Sequence, residues 1–161
     1  MTGSVPRSPV GRAMLNPALF TMIAAAAAEE YGRAAKQRMP WALMFLVPPL
    51  VLHRGTREAL PRTTATHWPT WVGRNPVLLS GYPLRARSLV EPTRAGLRFG
   101  LWHGVLAIDD EQRLQGRLRL KARPEDLGDV AQVLRSSGLV GKWLTKLDSP
   151  ATAFALLGVA P

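Results

Sequence analysis

Apolar positions in this chain recur mostly at helical spacing, and one stretch only changes to a period of two. Leu19 to Ala28 is an apolar run that continues past Glu29 and Glu30 into Tyr31, Ala34 and Ala35. Asn16-Pro17 ahead of it has the form of an N-cap followed by proline at the first helical position, which predicts a helix from Pro17 to Lys36. Its Ala24–Ala28 stretch favours helix and lets a neighbouring element come close. Pro40 opens a second apolar segment, Trp41 to Leu52, expected to break or kink at Pro48-Pro49. Arg54-Gly55-Thr56-Arg57 follows, and Leu60-Pro61-Arg62 ends that stretch. Thr66 to Gly73 predicts a short helix bearing Trp68 and Trp71, stopped by Asn75-Pro76. Val77 to Val90 is expected to be helical, with Leu78, Leu84, Leu89 and Val90 as core positions. Pro92 to His103 predicts a clearer helix, with Leu97, Leu101 and Val105 on one face and Arg94, Arg98 and Trp102 on another; Gly104 suits its C-cap.

The period then changes. Val105 to Ile108 reads as a short strand, Asp109-Asp110-Glu111-Gln112 as a polar turn, and Leu114 to Arg123 as an alternating strand. In that strand Leu118, Leu120 and Ala122 face one way and Arg117, Arg119, Lys121 and Arg123 the other. Helices resume at Pro124 to Arg135 and Leu139 to Leu147, and a short apolar segment, Ala151 to Val159, follows. A helix followed by a basic hairpin is the order of a winged helix-turn-helix, so the expected fold is mainly α with a small β-hairpin, a helical domain containing a winged helix-turn-helix-like unit at about 77–123. Residues 1–12 carry Gly, Ser, Pro and Arg without periodicity and read as a mobile arm, leaving 13–161 as a single domain.

Composition narrows the function. A length of 161 residues with 47% apolar residues suffices for one domain with a real core. With no cysteine, disulfides, thiolate catalysis and the common zinc sites are excluded. Arg7 and Arg12 ahead of Leu19–Ala28 resemble a signal peptide superficially, but the helix pattern runs on through Tyr31. Trp41 to Leu52 is too short to span a bilayer. The expectation is a cytosolic chain that does not touch a membrane.

The 21 Lys and Arg against 11 Asp and Glu give a formal charge of +10, which points to nucleic acid or an acidic protein partner, or else to a solvated surface. Arginine supplies most of that charge, and its planar fork suits phosphate. The basic hairpin is the best candidate site: Arg113, Arg117, Arg119, Lys121 and Arg123, with Arg94 and Arg98 from the preceding helix, are the expected contacts to double-stranded DNA. No Asn or Gln accompanies them on the helix face, so the contact is expected to be independent of base sequence. Trp68 and Trp71 in their Pro-rich, polar segment, and Phe154, Leu156 and Leu157 in the closing apolar segment, are the candidate partner contacts. That last segment is expected either to fold back onto the first helix or to dock on a partner.

Catalytic chemistry finds little to work with. The 3 histidines, His53, His67 and His103, have neither H-x-x-x-H nor H-E-x-x-H spacing and read as ordinary helix-end or surface residues. Asp109, Asp110 and Glu111 read as a solvated turn. Gly138-Leu139-Val140-Gly141-Lys142-Trp143 lacks the G-x-x-x-x-G-K-[ST] spacing and the metal-binding hydroxyl of a phosphate loop. No catalytic residue, metal or cofactor is expected.

Several motifs in order go beyond generic helix patterns: Asn16-Pro17-Ala18-Leu19; Phe45-Leu46-Val47-Pro48-Pro49-Leu50-Val51-Leu52-His53 with Thr56-Arg57-Glu58-Ala59-Leu60-Pro61; Gly104-Val105-Leu106-Ala107; Gly141-Lys142-Trp143-Leu144; and Ser149-Pro150-Ala151-Thr152-Ala153-Phe154-Ala155-Leu156-Leu157-Gly158-Val159. Together they resemble the middle component of bacterial three-component ABC systems, of which Lamassu-type antiphage systems are the best-known examples. The resemblance runs from about Asn16 onward. It implies a non-catalytic accessory subunit between an SMC-like ABC ATPase subunit and an effector subunit, often a nuclease, helping the ATPase engage DNA. It supplies no catalytic residues. The competing readings are a free-standing winged-helix transcriptional regulator that dimerises on a palindrome, and a protein-interaction adaptor without DNA contact.

Overall fold

One alanine-rich helix organises the molecule. The computed structural model describes residues 15–161, so the expected N-terminal arm, residues 1–12, lies outside the described residues. Helix α1, Pro17–Ala35, starts where Asn16 Oδ1 accepts the Ala18 N–H at 2.9 Å and ends on Lys36 in the left-handed conformation (φ 58°). Phe20, Ile23, Ala24, Ala25, Ala27 and Ala28 along it are buried. Helices close on it from two sides and a small sheet packs against it.

After α1 come strand β1 (Met39–Pro40), a 3-10 helix (Trp41–Leu46) and helix α2 (Val47–Val51). The proline pair Pro48-Pro49 does not break a helix as expected: it occupies the first turn of α2, where the missing N–H groups have no intrahelical partner to lose. Short helices follow: α3 (Arg54–Glu58), α4 (Trp68–Arg74), α5 (Pro76–Ser80) and α6 (Tyr82–Ser88). The single helix expected over Val77–Val90 is thus two, divided at Gly81 and restarted with Pro83 in the first turn. The core positions also differ. Tyr82 and Ala86 are buried while Leu84 is 74% exposed, because the break resets the helical phase.

Helix α7, Val90–Trp102, packs on α1. Its buried face is Thr93, Gly96, Leu97 and Gly100, so the expected Leu97–Leu101–Val105 face is corrected by a turn of the helix; Leu101 is exposed. The reason is closeness: a Cβ at Gly96 would overlap Phe20, one at Gly100 would lie 2.5 Å from Leu106 Cδ1, and the Thr21 hydroxyl donates to the Gly96 carbonyl at 2.7 Å. Gly104 (φ 70°) ends α7 as expected, with Val105 N–H donating to Gly100 O at 2.9 Å and Gly104 N–H to Leu101 O at 3.3 Å.

Strands β2 (Leu106–Ile108) and β3 (Arg113–Gly116) make the expected hairpin, Leu106 pairing with Gly116 and Ile108 with Leu114. Two features differ from the sequence reading. β3 is central, because β1 pairs on its other side with Met39 opposite Leu114, giving an antiparallel sheet of order β1-β3-β2. And β3 stops at Gly116: residues 117–123 are not a strand. The Leu118 N–H is taken by Glu29 Oε2 of α1 at 3.1 Å instead of by a neighbouring strand, and only Leu118 of the expected apolar face is even half-buried. A helix does precede a hairpin, but the basic residues 117–123 lie outside the sheet, so the structure does not bear out the winged unit expected at about 77–123.

A 3-10 turn, Pro124–Leu127, leads into helix α8, Asp129–Leu144, and helix α9, Pro150–Leu156, follows. α8 is continuous through Gly138, where a boundary was expected. Glycine is there for packing: Gly141 leaves the Ala27 backbone so close that a Cβ would stand 2.7 Å from its Cα. α9 folds back, as one expectation had it, but onto the 3-10 helix and α4 rather than onto the first helix.

Candidate functional site

Trp68 and Trp71, expected as partner contacts, are core residues. Trp68 stacks on Trp143 with ring centroids 3.6 Å apart, and Trp71 meets the same ring edge-on at 5.3 Å. Each indole N–H is satisfied within the chain: Trp68 donates to Trp143 O at 3.0 Å, Trp71 to Ala59 O at 2.7 Å and Trp143 to Thr66 O at 2.8 Å. The polar, Pro-rich surroundings that suggested a surface role are the loop this cluster anchors. Phe154 and Leu157 are likewise buried, with Leu156 half-buried. Trp68, Trp71, Phe154 and Leu157 are each at most 7% exposed, so little of any of them is free.

The expected DNA contacts fall into three groups. Arg113 lies on β3, donating to the Arg38 carbonyl at 3.1 Å and pairing with Glu111 at 3.5 Å, so it is held inside the sheet's own network. Arg117, Arg119, Lys121 and Arg123 are all exposed along the extended strip that leaves β3. Arg94 and Arg98 stand elsewhere. At roughly 100° per residue round the helix they diverge from Phe99, whose side faces the strip. Arg94 borders a cleft formed with the 3-10 helix and α6, whereas Phe99 shares a separate groove with Arg117 and Arg119.

The strip is fixed at its start and bordered on both sides. Glu29 binds the Leu118 N–H and is itself paired to Arg33 at 3.1 Å. Between the strip and α8 runs a groove of about 450 Å3, with Leu118, Leu120, Pro124 and Leu134 in its walls. Arg135 and Lys142 of α8 also line it, with Glu29 and Glu30 on the α1 side. Arg135 and Lys142 are cations that the sequence reading missed, since α8 was expected to be two helices and their shared face was hidden. The carboxylates on the α1 wall are engaged by Arg33, which bonds both Glu29 and Glu30.

At the far end of the hairpin, Asp109 organises its own turn. Its Oδ1 accepts the N–H groups of Arg113 and Glu111 at 3.0 Å, and Oδ2 pairs with Arg38 at 3.2 Å. These bonds, the Arg113 N–H first, hold the carboxyl below its ordinary pKa. The Asp109–Glu111 turn is thus a structural feature of the hairpin. All 3 histidines of the chain sit at helix ends: His53 and His67 at the N-caps of α3 and α4, His103 at the C-cap of α7. Among the described residues no group of three or more His, Cys, Asp or Glu is placed to hold a metal ion, and no helix is long and apolar enough to cross a membrane.

One surface feature has no counterpart in the sequence reading of sites. Trp102 is 85% exposed at the last turn of α7, beside exposed Arg98 and Leu101. The four-residue spacing Arg94–Arg98–Trp102 was visible in the sequence, but whether the indole pointed inward was not.

Comparison with known proteins places this arrangement. No curated protein and no solved structure gives a significant match. The family model described as ABC-three component (ABC-3C) system Middle Component 3 matches residues 4–161, which is nearly the whole chain. The chain belongs to the Middle Component 3 family of ABC-three component systems.

Proposed function

We propose that this chain is a non-catalytic accessory subunit that joins the ABC ATPase of its system to an effector, often a nuclease, and adds sequence-independent contacts to duplex DNA. The observation that carries the reading is the family match over residues 4–161, since a middle component implies ABC partners. The antiphage setting of Lamassu-type systems and an SMC-like ATPase follow from the resemblance described above, and a cytoplasmic location from the reading of both apolar segments as core helices. The DNA contact rests on the strip: Arg117, Arg119, Lys121 and Arg123 are exposed, and Arg135 and Lys142 border the same groove. An extended cationic segment touches phosphates without reading bases, and its affinity comes from released counterions.

The winged-helix regulator reading asks α7 to enter a major groove. The outer face of α7 carries Leu101 and Trp102 beside its arginines, and Thr93, Gly96, Leu97 and Gly100 are buried against the body of the molecule. That composition favours the adaptor element of the competing readings over base recognition.

The test is the triple variant Arg117→Glu, Arg119→Glu, Lys121→Glu in the assembled complex. These side chains are exposed, so the fold is expected to survive. Binding to random duplex DNA is expected to fall, and the slope of log affinity against log salt to decrease by about 3, near one for each lost phosphate contact. Unchanged affinity and slope contradict the DNA contact and leave the adaptor reading.

A further inference from the structure

We infer that the outer ridge of α7, formed by Arg94, Arg98, Leu101 and Trp102, docks an acidic protein surface that receives the Trp102 indole in an apolar pocket ringed by carboxylates. The inference deepens the accessory-subunit reading and rests on it.

Trp102 is 85% exposed and its neighbour Leu101 39%, and Trp102 is among the most exposed large apolar residues described. Tryptophan and arginine side by side on one rigid helix face are the residue types that dominate interface energies. α7 is locked from behind by Gly96 and Gly100 against α1 and by the Gly104 cap, so the ridge is presented with little ordering cost. The ridge is continuous with a cleft of about 500 Å3 that Arg94 borders, with Trp41, Phe45, Val90 and Phe154 in its walls. The cleft thus meets the ridge at its Arg94 end, about two helical turns from the Trp102 indole.

Charge selects the chemistry of that surface. Among the described residues Arg94 pairs with the exposed Glu91, at 2.6 Å, and Arg98 stands exposed one turn further along. The whole chain carries +10. A second copy of this chain is a poor occupant, because a two-fold contact through the ridge brings guanidinium groups toward guanidinium groups. Duplex DNA is a poor occupant too. Its phosphates match the arginines but have no use for Leu101 or for an indole, whose stacking needs an unpaired base. Acidic protein satisfies every member of the ridge at once.

The test titrates the full chain against the purified ABC ATPase and, separately, the purified effector of its own system. Trp102→Ala is expected to weaken binding to at least one of them by about 30-fold, the loss typical of a central aromatic anchor. Arg98→Glu is expected to weaken the same binding and Arg98→Lys to retain most of it. For Trp102→Ala the thermal midpoint and duplex DNA affinity of the free chain should stay as they are. Wild-type binding that survives both Trp102→Ala and Arg98→Glu overturns this assignment alone. A Trp102→Ala variant that loses DNA binding, or that changes the self-association of the free chain, overturns it in favour of nucleic acid or a second copy. A wild-type chain that binds neither protein overturns the accessory-subunit reading, and the ridge assignment with it.

Discussion

At the residue scale, several side chains do a structural job that their type alone leaves ambiguous. His53 is the clearest. Its Nδ1 accepts the Thr56 N–H at 3.2 Å and lies 2.8 Å from the Thr56 hydroxyl, so the capping ring must be neutral on that nitrogen. Burial first, then the nearby Arg85 and Arg57 charges, holds its pKa below the ordinary 6.5. The unfolded chain therefore takes up this proton before the folded one as the pH falls. The stability His53 contributes is complete above the unfolded value and is lost as the pH drops through the window beneath it. Urea midpoints at pH 7.5 and 5.5 check this: His53→Asn, which caps without titrating, should show a smaller loss on acidification than the wild type. An equal loss contradicts the capping argument. Arg85 is a half-buried example. It donates to the Thr56 hydroxyl and the Leu78 carbonyl, both at 3.1 Å, and burial lowers its pKa. Tyr82 is pushed up by its burial while donating to Leu46 O at 2.8 Å. These groups support the fold around α2, α3 and α6.

At the element scale, the fold depends on glycine facing alanine. Gly96 and Gly100 of α7, Gly116 of β3, and Gly138 and Gly141 of α8 all come up to helix α1 or its immediate neighbours. Gly141→Ala drives a methyl group into the Ala27 backbone, and is expected to cost about 1–3 kcal/mol, as overpacked cores do. Gly73→Ala, where a Cβ meets nothing within 4 Å, serves as the control and is expected to be near neutral. Chemical denaturation of both variants measures the difference; equal stabilities contradict the close-approach account. Much of this was legible. The Asn16-Pro17 start of α1, the Ala24–Ala28 approach surface, the α4 helix at Trp68 and the Gly104 cap all follow from local chemistry that the structure keeps. What was not legible depended on contacts distant in sequence. A two-residue strand such as Met39–Pro40 has no periodicity to read. The alternation of residues 117–123 is a true β pattern, overridden because Glu29, far away in the chain, takes the Leu118 N–H. Glycine inside α8 reads as a helix end until the helix it packs against is known.

At the scale of the whole molecule, the candidate site was half legible. The basic residues were found from composition and alternation, and the strip they form is exposed as expected. Their grouping was not found: the turn of α7 separates Arg94 and Arg98 from Arg117 and Arg119, and α8 adds Arg135 and Lys142. Likewise the tryptophans were separable only in three dimensions, Trp68, Trp71 and Trp143 closing the core while Trp102 faces outward. The molecule offers a cationic strip on one side of α7 and an aromatic, arginine-bearing ridge on another, the two surfaces on which the proposed contacts rest. The most direct measurement is the mass, by light scattering on a sizing column, of this chain co-expressed with the ABC ATPase and effector of its system. An accessory subunit is expected to elute within a stable hetero-complex containing the ATPase. A chain that elutes apart from both, as a free monomer or homodimer, contradicts the account.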